Sequence, residues 1–449
     1  MEITKEFLQN SREKFYKDRA NRVAQRAAVN NGLVEASVDR VEDERNRHTF
    51  NIELKEKEIR NQKQSGRCWM FAALNLMEYK LCRKYNLKGF ELSKNYTLFF
   101  DKLERCNYFL DSIIRTLDED LDGRLVSHIL TDPMGDGGQW DMIKNIIKKY
   151  GLVPSYAMKE SVNSSATANL NNYLTKILRM YAKNLRDSYK EEKDLEKLKK
   201  MQEEYMKKIF DVLSISLGTP PEKFDFEVRN EDEEFISDKN LTPQEFLKKH
   251  VEVNLDDYIS LINAPTKDKP YFKSYTVDFL GNVMELDKVR YVNVPVEVMK
   301  DGILKQLKDG EPVWFGCDVA QFFYRKGANL DLSTLKIFDL LNVEYDLSKE
   351  ERLDYKESLM THAMVFVGCD YDEENKKINR YKVENSWGKD AGDRGYLVMS
   401  DEWFDEYMYQ ALINKKYLDE KVIKAYSEEP IHLKPWDPMG SLAWIKELK

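Results

Sequence analysis

Residues 62–69 of the chain are Gln-Lys-Gln-Ser-Gly-Arg-Cys-Trp, and the apolar run Trp-Met-Phe-Ala-Ala-Leu-Asn-Leu-Met follows over residues 69–77. This run is too long and too apolar for a surface loop, so it predicts a buried helix from near Gly66 to about Tyr85. Cys68 would then lie in the first turn, where unpaired N–H groups and the helix dipole favour a thiolate. A cysteine in an apolar run is more commonly a small buried hydrophobe, so other residues must decide its role.

Length and charge restrict the class of protein. The chain has 449 residues, which allows a large core with a substantial insertion, or two domains. Its net charge of -8 argues against nucleic acid as an obligate partner. No stretch approaches the roughly 20 apolar residues of a membrane span, and the first residues lack the apolar core of an export signal. We therefore expect a cytoplasmic protein with no membrane partner.

The cysteines are few, odd in number and scattered, and none forms a C-x-x-C pair. They are Cys68, Cys82, Cys106, Cys317 and Cys369. Reduced thiols in a cytoplasm fit this pattern best. The histidines also lack the spacing of metal ligands, so we expect neither a metal nor a cofactor.

Hydrophobic periodicity divides the chain into three parts. Residues 1–159 are predicted to form a charged, helical lead-in followed by the helical half of a core. Residues 160–288 contain two amphipathic helical patterns, around residues 170–181 and 198–212, and a helix start at Pro243, which together predict an inserted, mainly helical subdomain. Residues 289–449 are rich in strand patterns and are predicted to form the β half with a C-terminal tail.

His362 and Asn385 are candidates for the base and the orienting group that a nucleophilic thiol requires. His362 opens a buried-strand pattern, Asn385 closes the next strand pattern, and a polar turn over residues 372–375 separates the two. If the turn is centred between residues 373 and 374, His362 faces Asn385 directly, although a bulge could move the register by one or two positions. Trp387 could shield their hydrogen bond from water.

The two remaining candidates each have a plain alternative. Gln62 is either a surface amide or a donor, with the backbone N–H of Cys68, to the oxyanion that forms when a thiolate attacks a carbonyl. Gly137 and Gly138 are either a turn or bare backbone with which an extended peptide pairs. A lone histidine is usually structural, but the coincidence of His362 with Asn385, Trp387 and Cys68 favours catalysis.

Together these residues resemble a papain-like cysteine peptidase, and in particular the bleomycin hydrolase and aminopeptidase C family. Papain-like enzymes carry C-G-[SA]-C-[WY], with histidine and asparagine about 130–150 residues downstream. Here Ser65 stands at the first cysteine position, which suits a reducing compartment. His362 lies much farther from Cys68 than in papain, and the difference matches the predicted insertion.

The resemblance spans nearly the whole chain. Its motifs are Asn-Gln at residues 61–62, Ser-Gly-Arg-Cys-Trp at 65–69, Thr-His-Ala-Met at 361–364, Val-Glu-Asn-Ser-Trp-Gly at 383–388 and Trp-Asp-Pro-Met-Gly at 436–440. It implies an α+β papain-like fold, with a helical half, an antiparallel β half and a large helical insertion. It also implies Cys68, His362 and Asn385 as the triad, Gln62 as the oxyanion donor, and a homohexamer whose central chamber admits short or unfolded peptides.

The resemblance further implies a cytoplasmic thiol aminopeptidase with a Cys68 acyl-enzyme and His362 as base and then acid. In that family the C-terminal carboxylate lies in the cleft and anchors the substrate's amino group. Family chains usually end near the position of Ala443, but this chain continues over residues 444–449, which if extended shift the carboxylate by about 20 Å. The tail is therefore trimmed near Ala443, folded back so that Lys449 is the anchor, or out of the cleft.

Two alternatives to an aminopeptidase stay open at this point. An endopeptidase or oligopeptidase would follow if the tail leaves the cleft. A hypothesis from another functional class is a non-catalytic hexamer that binds nucleic acid or serves as a scaffold. The intact triad and the net charge of -8 both argue against this hypothesis.

Overall fold

The computed structural model describes residues 1–443, and a helix that begins at Cys68 lies near its centre. In chain order the helices are α1 (Lys5–Lys17), α2 (Arg19–Asn31), α3 (Leu33–Ala36), α4 (Arg40–Asp43), α5 (Cys68–Tyr85), α6 (Lys94–Arg115), α7 (Arg124–Thr131), α8 (Trp140–Tyr150), α9 (Val162–Ser165), α10 (Ala168–Glu191), α11 (Leu195–Leu217), α12 (Pro243–Phe246), α13 (Val296–Lys308), α14 (Ile337–Leu341), α15 (Lys349–Asp354), α16 (Asp401–Tyr407) and α17 (Glu420–Ser427). None of these described helices has the length and apolar character of a membrane span.

The strands form one large sheet and one separate hairpin. In chain order they are β1 (Ile52–Glu53), β2 (Phe224–Arg229), β3 (Phe235–Leu241), β4 (Tyr258–Ile262), β5 (Lys273–Val277), β6 (Tyr291–Asn293), β7 (Val313–Cys317), β8 (Phe323–Tyr324), β9 (Asn329–Leu330), β10 (His362–Asp372), β11 (Lys377–Glu384), β12 (Tyr396–Ser400), β13 (Met408–Asn414) and β14 (Ile431–Leu433). The large sheet has the order β14-β5-β6-β4-β13-β7-β10-β11-β12-β9-β8, with β1 also paired to β10, while β2 and β3 pair with each other.

Helix α5 confirms the helix predicted from the apolar run. Every residue from Cys68 to Glu78 is buried, and Asn86 ends the helix in the left-handed conformation. The helix is apolar on all sides because it packs between the sheet and the other helices. Its start is joined to the sheet by a hydrogen bond of 3.0 Å from the indole Nε1 of Trp314 to the carbonyl of Trp69.

The large sheet is apolar on both faces. One apolar cluster joins it to α5, α6, α8 and the middle helices, and a second joins it to α13, α16 and α17. Because successive side chains of a strand point to opposite faces, Val365 lies in the first cluster while Met364 and Phe366 lie in the second. This two-sided burial explains the uninterrupted apolar sequence of β10.

The two helices predicted within the middle segment are confirmed as α10 and α11. They pack against each other and against α6, and the rings of Tyr181 and Tyr205 stack with centroids 3.8 Å apart. The helix start at Pro243 is also confirmed, with Thr242 as its cap. Strands β4 and β5 follow and join the large sheet. The division of the chain at residues 159 and 288 stays a prediction.

The register predicted for the hairpin of β10 and β11 is wrong by two positions. Val365 faces Glu384, so this register would set Asn385 opposite Met364 rather than His362. The turn lies later than predicted, because the Asp372 carboxylate accepts hydrogen bonds from the backbone N–H groups of residues 374 and 375 at 2.9 and 3.0 Å. Lys376 completes the turn with a φ of 52°. Sequence pattern alone does not reveal such side-chain control of a turn.

A buried carboxylate fixes the middle of α5. Glu78 accepts hydrogen bonds from Lys94 at 2.5 Å and from both Lys57 and Arg60 at 3.4 Å. Burial by itself raises the pKa of Glu78, but the three cations outweigh it and lower this pKa to about 2. The carboxylate is therefore charged at neutral pH and ties α5 to the chain segments on either side of it.

We predict that Glu78→Gln lowers the free energy of unfolding at pH 7 by about 3–5 kcal/mol, because it leaves buried cations without their partner. The folded pKa of about 2 lies below the ordinary value of 4.5. The contribution is therefore complete above pH 4.5 and is lost as the pH falls towards 2. Urea unfolding at several pH values measures both effects.

Glu91→Gln is the matched control. The Glu91 side chain is 40% exposed and approaches Arg60 at 3.8 Å and Lys94 at 3.6 Å, so its loss should cost about 1 kcal/mol or less. Equal losses for the two variants would contradict a special role of the buried carboxylate.

Candidate active site

His362 and Asn385 meet despite the shifted register. The ring nitrogen Nε2 of His362 lies 2.9 Å from the carboxamide oxygen Oδ1 of Asn385, and both residues are buried. Within residues 1–443, Nδ1 of His362 is buried and has no hydrogen-bond partner. The Asn385 carboxamide therefore accepts the Nε2 proton and leaves Nδ1 as a free acceptor, which is the arrangement that a general base requires.

Cys68 lies beside this histidine. Its sulfur is close to the backbone N–H groups of Ala363, Trp69 and Cys68 itself. Ala363 directly follows His362 in β10, so the start of that strand and the start of α5 converge at the sulfur. Trp387 covers the histidine, with ring centroids 4.9 Å apart. The predicted triad and its predicted shield therefore lie at one junction of β10 and α5, where the described residues give the Cys68 thiol a hydrogen bond to Ala443 rather than to His362.

The charge state of the pair differs from the thiolate predicted from the helix start. Burial raises the pKa of Cys68 to about 12, against the opposing effect of the neighbouring N–H groups. Burial also lowers the pKa of His362 to about 4, against the opposing effect of Asn385. In this state both groups are neutral at pH 7, because desolvation disfavours the charged form of each.

The burial of Cys68 is caused in part by the chain's own C-terminal segment. The thiol of Cys68 donates a hydrogen bond to the carbonyl of Ala443 at 3.3 Å, and Ala443 is fully buried. The N–H of Ala443 donates to the carbonyl of Gly138 at 3.4 Å. The three outcomes considered for residues 444–449 lie outside the described residues, but the chain reaches the thiol at Ala443.

The segment that leads to Ala443 is held along the cleft on both sides. The carboxamide of Gln139 donates to the carbonyl of Ser441 at 2.6 Å, and the hydroxyl of Ser441 donates to the carbonyl of Met360 at 2.8 Å. Tyr291 donates to the carbonyl of Met439 at 3.1 Å. Gly138 thus contacts the chain's own C-terminal segment through one backbone hydrogen bond, and the pairing of Gly137 and Gly138 with a substrate peptide stays a prediction.

Gly138 is required for a steric reason. A Cβ atom at this position would lie 2.5 Å from the indole ring of Trp69. The adjacent carbonyl of Gly137 accepts a hydrogen bond from Arg105 at 2.5 Å. The pair is therefore a packed wall of the cleft rather than a free turn.

Gln62 is buried, so the surface-amide alternative is wrong. Its Nε2 donates to the carbonyl of Ser65 at 2.7 Å, and its Oε1 accepts from the hydroxyl of Ser386 at 2.6 Å. A carboxamide nitrogen carries two hydrogens, so one remains for an oxyanion. Because Ser386 follows Asn385, this contact links the oxyanion donor to the orienting residue of the triad.

Sequence reasoning missed the buried carboxylates that support these residues. Glu384 accepts from Asn75 at 2.7 Å and from Tyr79 at 2.9 Å, which fastens the residue before Asn385 to α5. Asp318 accepts from the hydroxyl of Thr361 at 3.0 Å, next to His362. A charged residue at the end of a strand normally suggests exposure, so no sequence signal identifies either one.

A third missed carboxylate has the largest set of partners. Asp136 is buried beside Gly137 and accepts hydrogen bonds from Lys102, Asn171, Thr167 and the backbone of Gly66. Its position directly before the predicted Gly137–Gly138 pair was the available signal.

Comparison with known proteins agrees with this geometry. A model of the Peptidase C1-like family matches residues 2–440. Aminopeptidase C of Listeria innocua serovar 6a is 48% identical over 442 residues, which cover 98% of this chain and 99% of that protein. Bleomycin hydrolase of Gallus gallus is 42% identical over 396 residues, 86% of each chain.

The crystal structure of PepW from Lactobacillus rhamnosis HN001 superposes with a TM-score of 0.96 at 45% identity, and covers 98% of this chain and 99% of that one. The papain-like α+β fold and the resemblance seen in the sequence are thereby confirmed. The individual roles of Cys68, His362, Asn385 and Gln62 stay predictions. A matched family model over almost all residues and a nearly superimposable relative lead to one conclusion: this chain is a cysteine-type peptidase that belongs to the Peptidase C1-like family.

Proposed function

We propose that the protein is a cytoplasmic thiol aminopeptidase that releases N-terminal residues of peptides. The observation that carries this proposal is the carbonyl of Ala443, 3.3 Å from the Cys68 thiol. The segment from Met439 to Ala443 approaches the thiol in the direction that the residues before a cleaved bond would take. A substrate cannot place several residues there as well, so the bond it offers must lie close to its own N-terminus.

In the proposed mechanism, Nδ1 of His362 takes the proton of the Cys68 thiol as the sulfur attacks the substrate carbonyl carbon. The free N–H of Gln62 and the backbone N–H of Cys68 stabilise the oxyanion. The imidazolium then gives its proton to the leaving amine. Water, deprotonated by His362, hydrolyses the thioester, which releases an amino acid and restores the thiol. The hydrogen bond to Asn385 holds the ring in place throughout.

We also propose that the enzyme first cleaves its own bond between Ala443 and Trp444. The carbonyl oxygen of Ala443 lies 3.3 Å from the Cys68 sulfur, and the N–H of Ala443 donates to the carbonyl of Gly138 at 3.4 Å. Attack by the thiol on Ala443 would expel the amine of Trp444, and hydrolysis of the resulting thioester would leave Ala443 with a free carboxylate. Among the outcomes considered for the tail, the burial of Ala443 at the thiol favours this one.

The new carboxylate would determine which peptide bond of a substrate reaches Cys68, counted from the substrate's N-terminus. If the trimmed end withdraws by one residue, about 3.5 Å, it leaves room for one substrate residue beside Cys68. The carboxylate then faces the substrate's ammonium group, and an attraction of about 4 kcal/mol at roughly 4 Å near a protein surface is available. A substrate with a blocked amino group would lose this attraction, and its blocking group would clash with the tail.

We predict that the intact mass of the purified protein lacks residues 444–449, whereas the mass of a Cys68→Ala variant includes them. The thiol is the only nucleophile that the proposal uses, so its removal must preserve the tail. Mass spectrometry of both proteins from parallel preparations is the measurement. Equal masses would exclude self-trimming, and loss of the tail from both proteins would show an external peptidase.

Removal of the segment in the cleft should change the type of cleavage. We predict that the wild type hydrolyses aminoacyl-coumarin substrates, loses this activity as Cys68→Ala, and leaves an internally quenched peptide with a blocked N-terminus intact. A variant that ends at Gly440 should cleave the blocked peptide, because its cleft is open on both sides of the thiol. Cleavage of the blocked peptide by the wild type would support the endopeptidase alternative instead.

We further propose a homohexamer with a central chamber, as the family resemblance implies. Helices α1 and α2 contain no buried residue. Their apolar side chains are partly or largely exposed, for example Leu8 at 46% and Val29 at 78%. Several exposed apolar side chains on two neighbouring helices are typical of an interface, and a second copy of this chain is the occupant that a homo-oligomer provides.

Light scattering should give a mass near six times 53.0 kDa, and the double variant Leu8→Glu with Val29→Glu should give a smaller assembly. Ile215→Glu is the matched control, since Ile215 is 86% exposed on α11 and lies outside the N-terminal helices. A monomeric wild type, or equal dissociation by the control, would refute this interface.

The cytoplasmic location rests on the cysteines. All five are unpaired, as is usual for proteins of a reducing compartment. Cell fractionation with detection of the protein would test the location. The scaffold and nucleic-acid alternative gains no support from the site, because a non-catalytic protein has no need of a free, oriented imidazole beside a thiol.

A further inference from the structure

We propose that Asp136 is a positioning residue through which helix α10 holds the oxyanion loop, defined as residues 62–68, in its reactive shape. The inference rests on the proposed roles of Gln62 and Cys68. It assigns a catalytic purpose to the junction between the middle helices and the core.

The Asp136 carboxylate collects donors from three parts of the chain. Its Oδ2 accepts from the N–H of Gly66 at 2.9 Å and from the hydroxyl of Thr167. Its Oδ1 accepts from Lys102 at 2.8 Å and from Asn171 at 2.7 Å. Burial would raise the pKa of Asp136, but Lys102 and the hydrogen bonds hold it well below its usual range. The group is thus an anion with all its acceptor positions in use.

The backbone of the same residue supports the substrate wall. The carbonyl of Asp136 accepts from the indole Nε1 of Trp69 at 2.7 Å. Two residues later, the carbonyl of Gly138 binds the N–H of Ala443. One residue therefore links the loop before the nucleophile, the side chain after it, and the backbone that binds peptide.

A second group of contacts attaches the oxyanion loop to the start of α10. The N–H of Gln64 donates to the carbonyl of Ser165 at 2.9 Å, and the N–H of Thr167 donates to the carbonyl of Gln64 at 3.3 Å. The buried guanidinium of Arg67 donates to both oxygens of Glu160 at 3.1 and 2.8 Å. The oxyanion loop is therefore joined, on both sides of Gly66, to the segment 160–167 that leads into α10.

The loop has hydrogen bonds of its own, from Gln62 Nε2 to the carbonyl of Ser65 and from the Ser65 hydroxyl to the carbonyl of Gln62, but neither of them binds Gly66. Residues 62–67 form no helix, and Lys63 has a φ of 54°, which is uncommon for a residue with a side chain. The N–H of Gly66 must find its acceptor outside the loop. If Asp136 no longer holds it, the Gln62 carboxamide moves relative to Cys68, which α5 keeps in place, and a displacement of about 1 Å can cost 100-fold in rate.

Two reactions of Cys68 separate this role from simple stability. Hydrolysis forms an oxyanion, whereas alkylation by iodoacetamide requires the thiolate and forms no oxyanion. A displaced oxyanion loop therefore slows hydrolysis and leaves alkylation unchanged. A general loss of structure, or a damaged contact between Cys68 and His362, slows both reactions.

The experiment compares Asp136→Asn with the double variant Thr167→Val and Asn171→Ala, which keeps the buried pair of Lys102 and Asp136. For hydrolysis of an aminoacyl-coumarin, we expect kcat to fall about 100-fold in the first and about 10-fold in the second. KM should change by less than about threefold. In the double variant, which keeps the Asp136 charge, the rate of alkylation of Cys68 should stay within about twofold of the wild type.

Each protein is made as the full chain and also with a stop codon after Ala443, so that unequal trimming does not affect the comparison. Arg186→Gln is the matched control. Arg186 lies on the same helix, about 20 Å from Asn171 along its axis, and donates to the carbonyls of Thr116 and Glu119 at 2.9 and 2.6 Å. It should lower stability while kcat remains unchanged.

Unchanged kcat in the double variant, or a parallel fall of hydrolysis and alkylation, would overturn the proposal. If Asp136→Asn does not fold, the double variant alone decides. A failure of the proposed function is visible separately, because Cys68→Ala would then retain hydrolysis in the same assay.

Discussion

The burial of α5 is the constraint on which the site depends. A helix that is apolar on every side fits only between the sheet and the other helices, and its first residue is Cys68, the predicted nucleophile. The N–H groups at such a buried start must be satisfied by something other than water. The N–H groups of Cys68 and Trp69 point to the Cys68 sulfur. The N–H of Gly66, two residues before Cys68, donates a hydrogen bond to the Asp136 carboxylate. Burial of the helix therefore places the thiol among fixed N–H donors, while the same burial raises the pKa of Cys68 and keeps the thiol neutral.

Buried ion pairs hold this arrangement together at three levels. Glu78 joins α5 to Lys94, Glu384 joins it to the end of β11, and Asp136 joins its approach loop to α6 and α10. Buried charges are costly unless each is paired. These buried charges are concentrated around α5. There the fold has polar groups in place of apolar packing and holds them in fixed positions, as a preorganised active site requires.

Much of the fold follows from sequence pattern. The extent of α5, the pair of α10 and α11, and the capped start at Pro243 are visible in hydrophobic spacing and local capping chemistry. The register of β10 and β11 was not predictable in detail, because the Asp372 side chain moves the turn. Asp136 and Glu384 escaped notice because burial of a charged residue depends on tertiary partners, which one sequence does not disclose.

The segment from Met439 to Ala443 has a consequence for selectivity. A peptide tethered within its own binding groove competes with any other peptide at an effective concentration in the millimolar range. Substrates that extend past the thiol on that side are outcompeted whatever their side chains are. Under the proposed function, the tether selects a substrate by where the peptide begins.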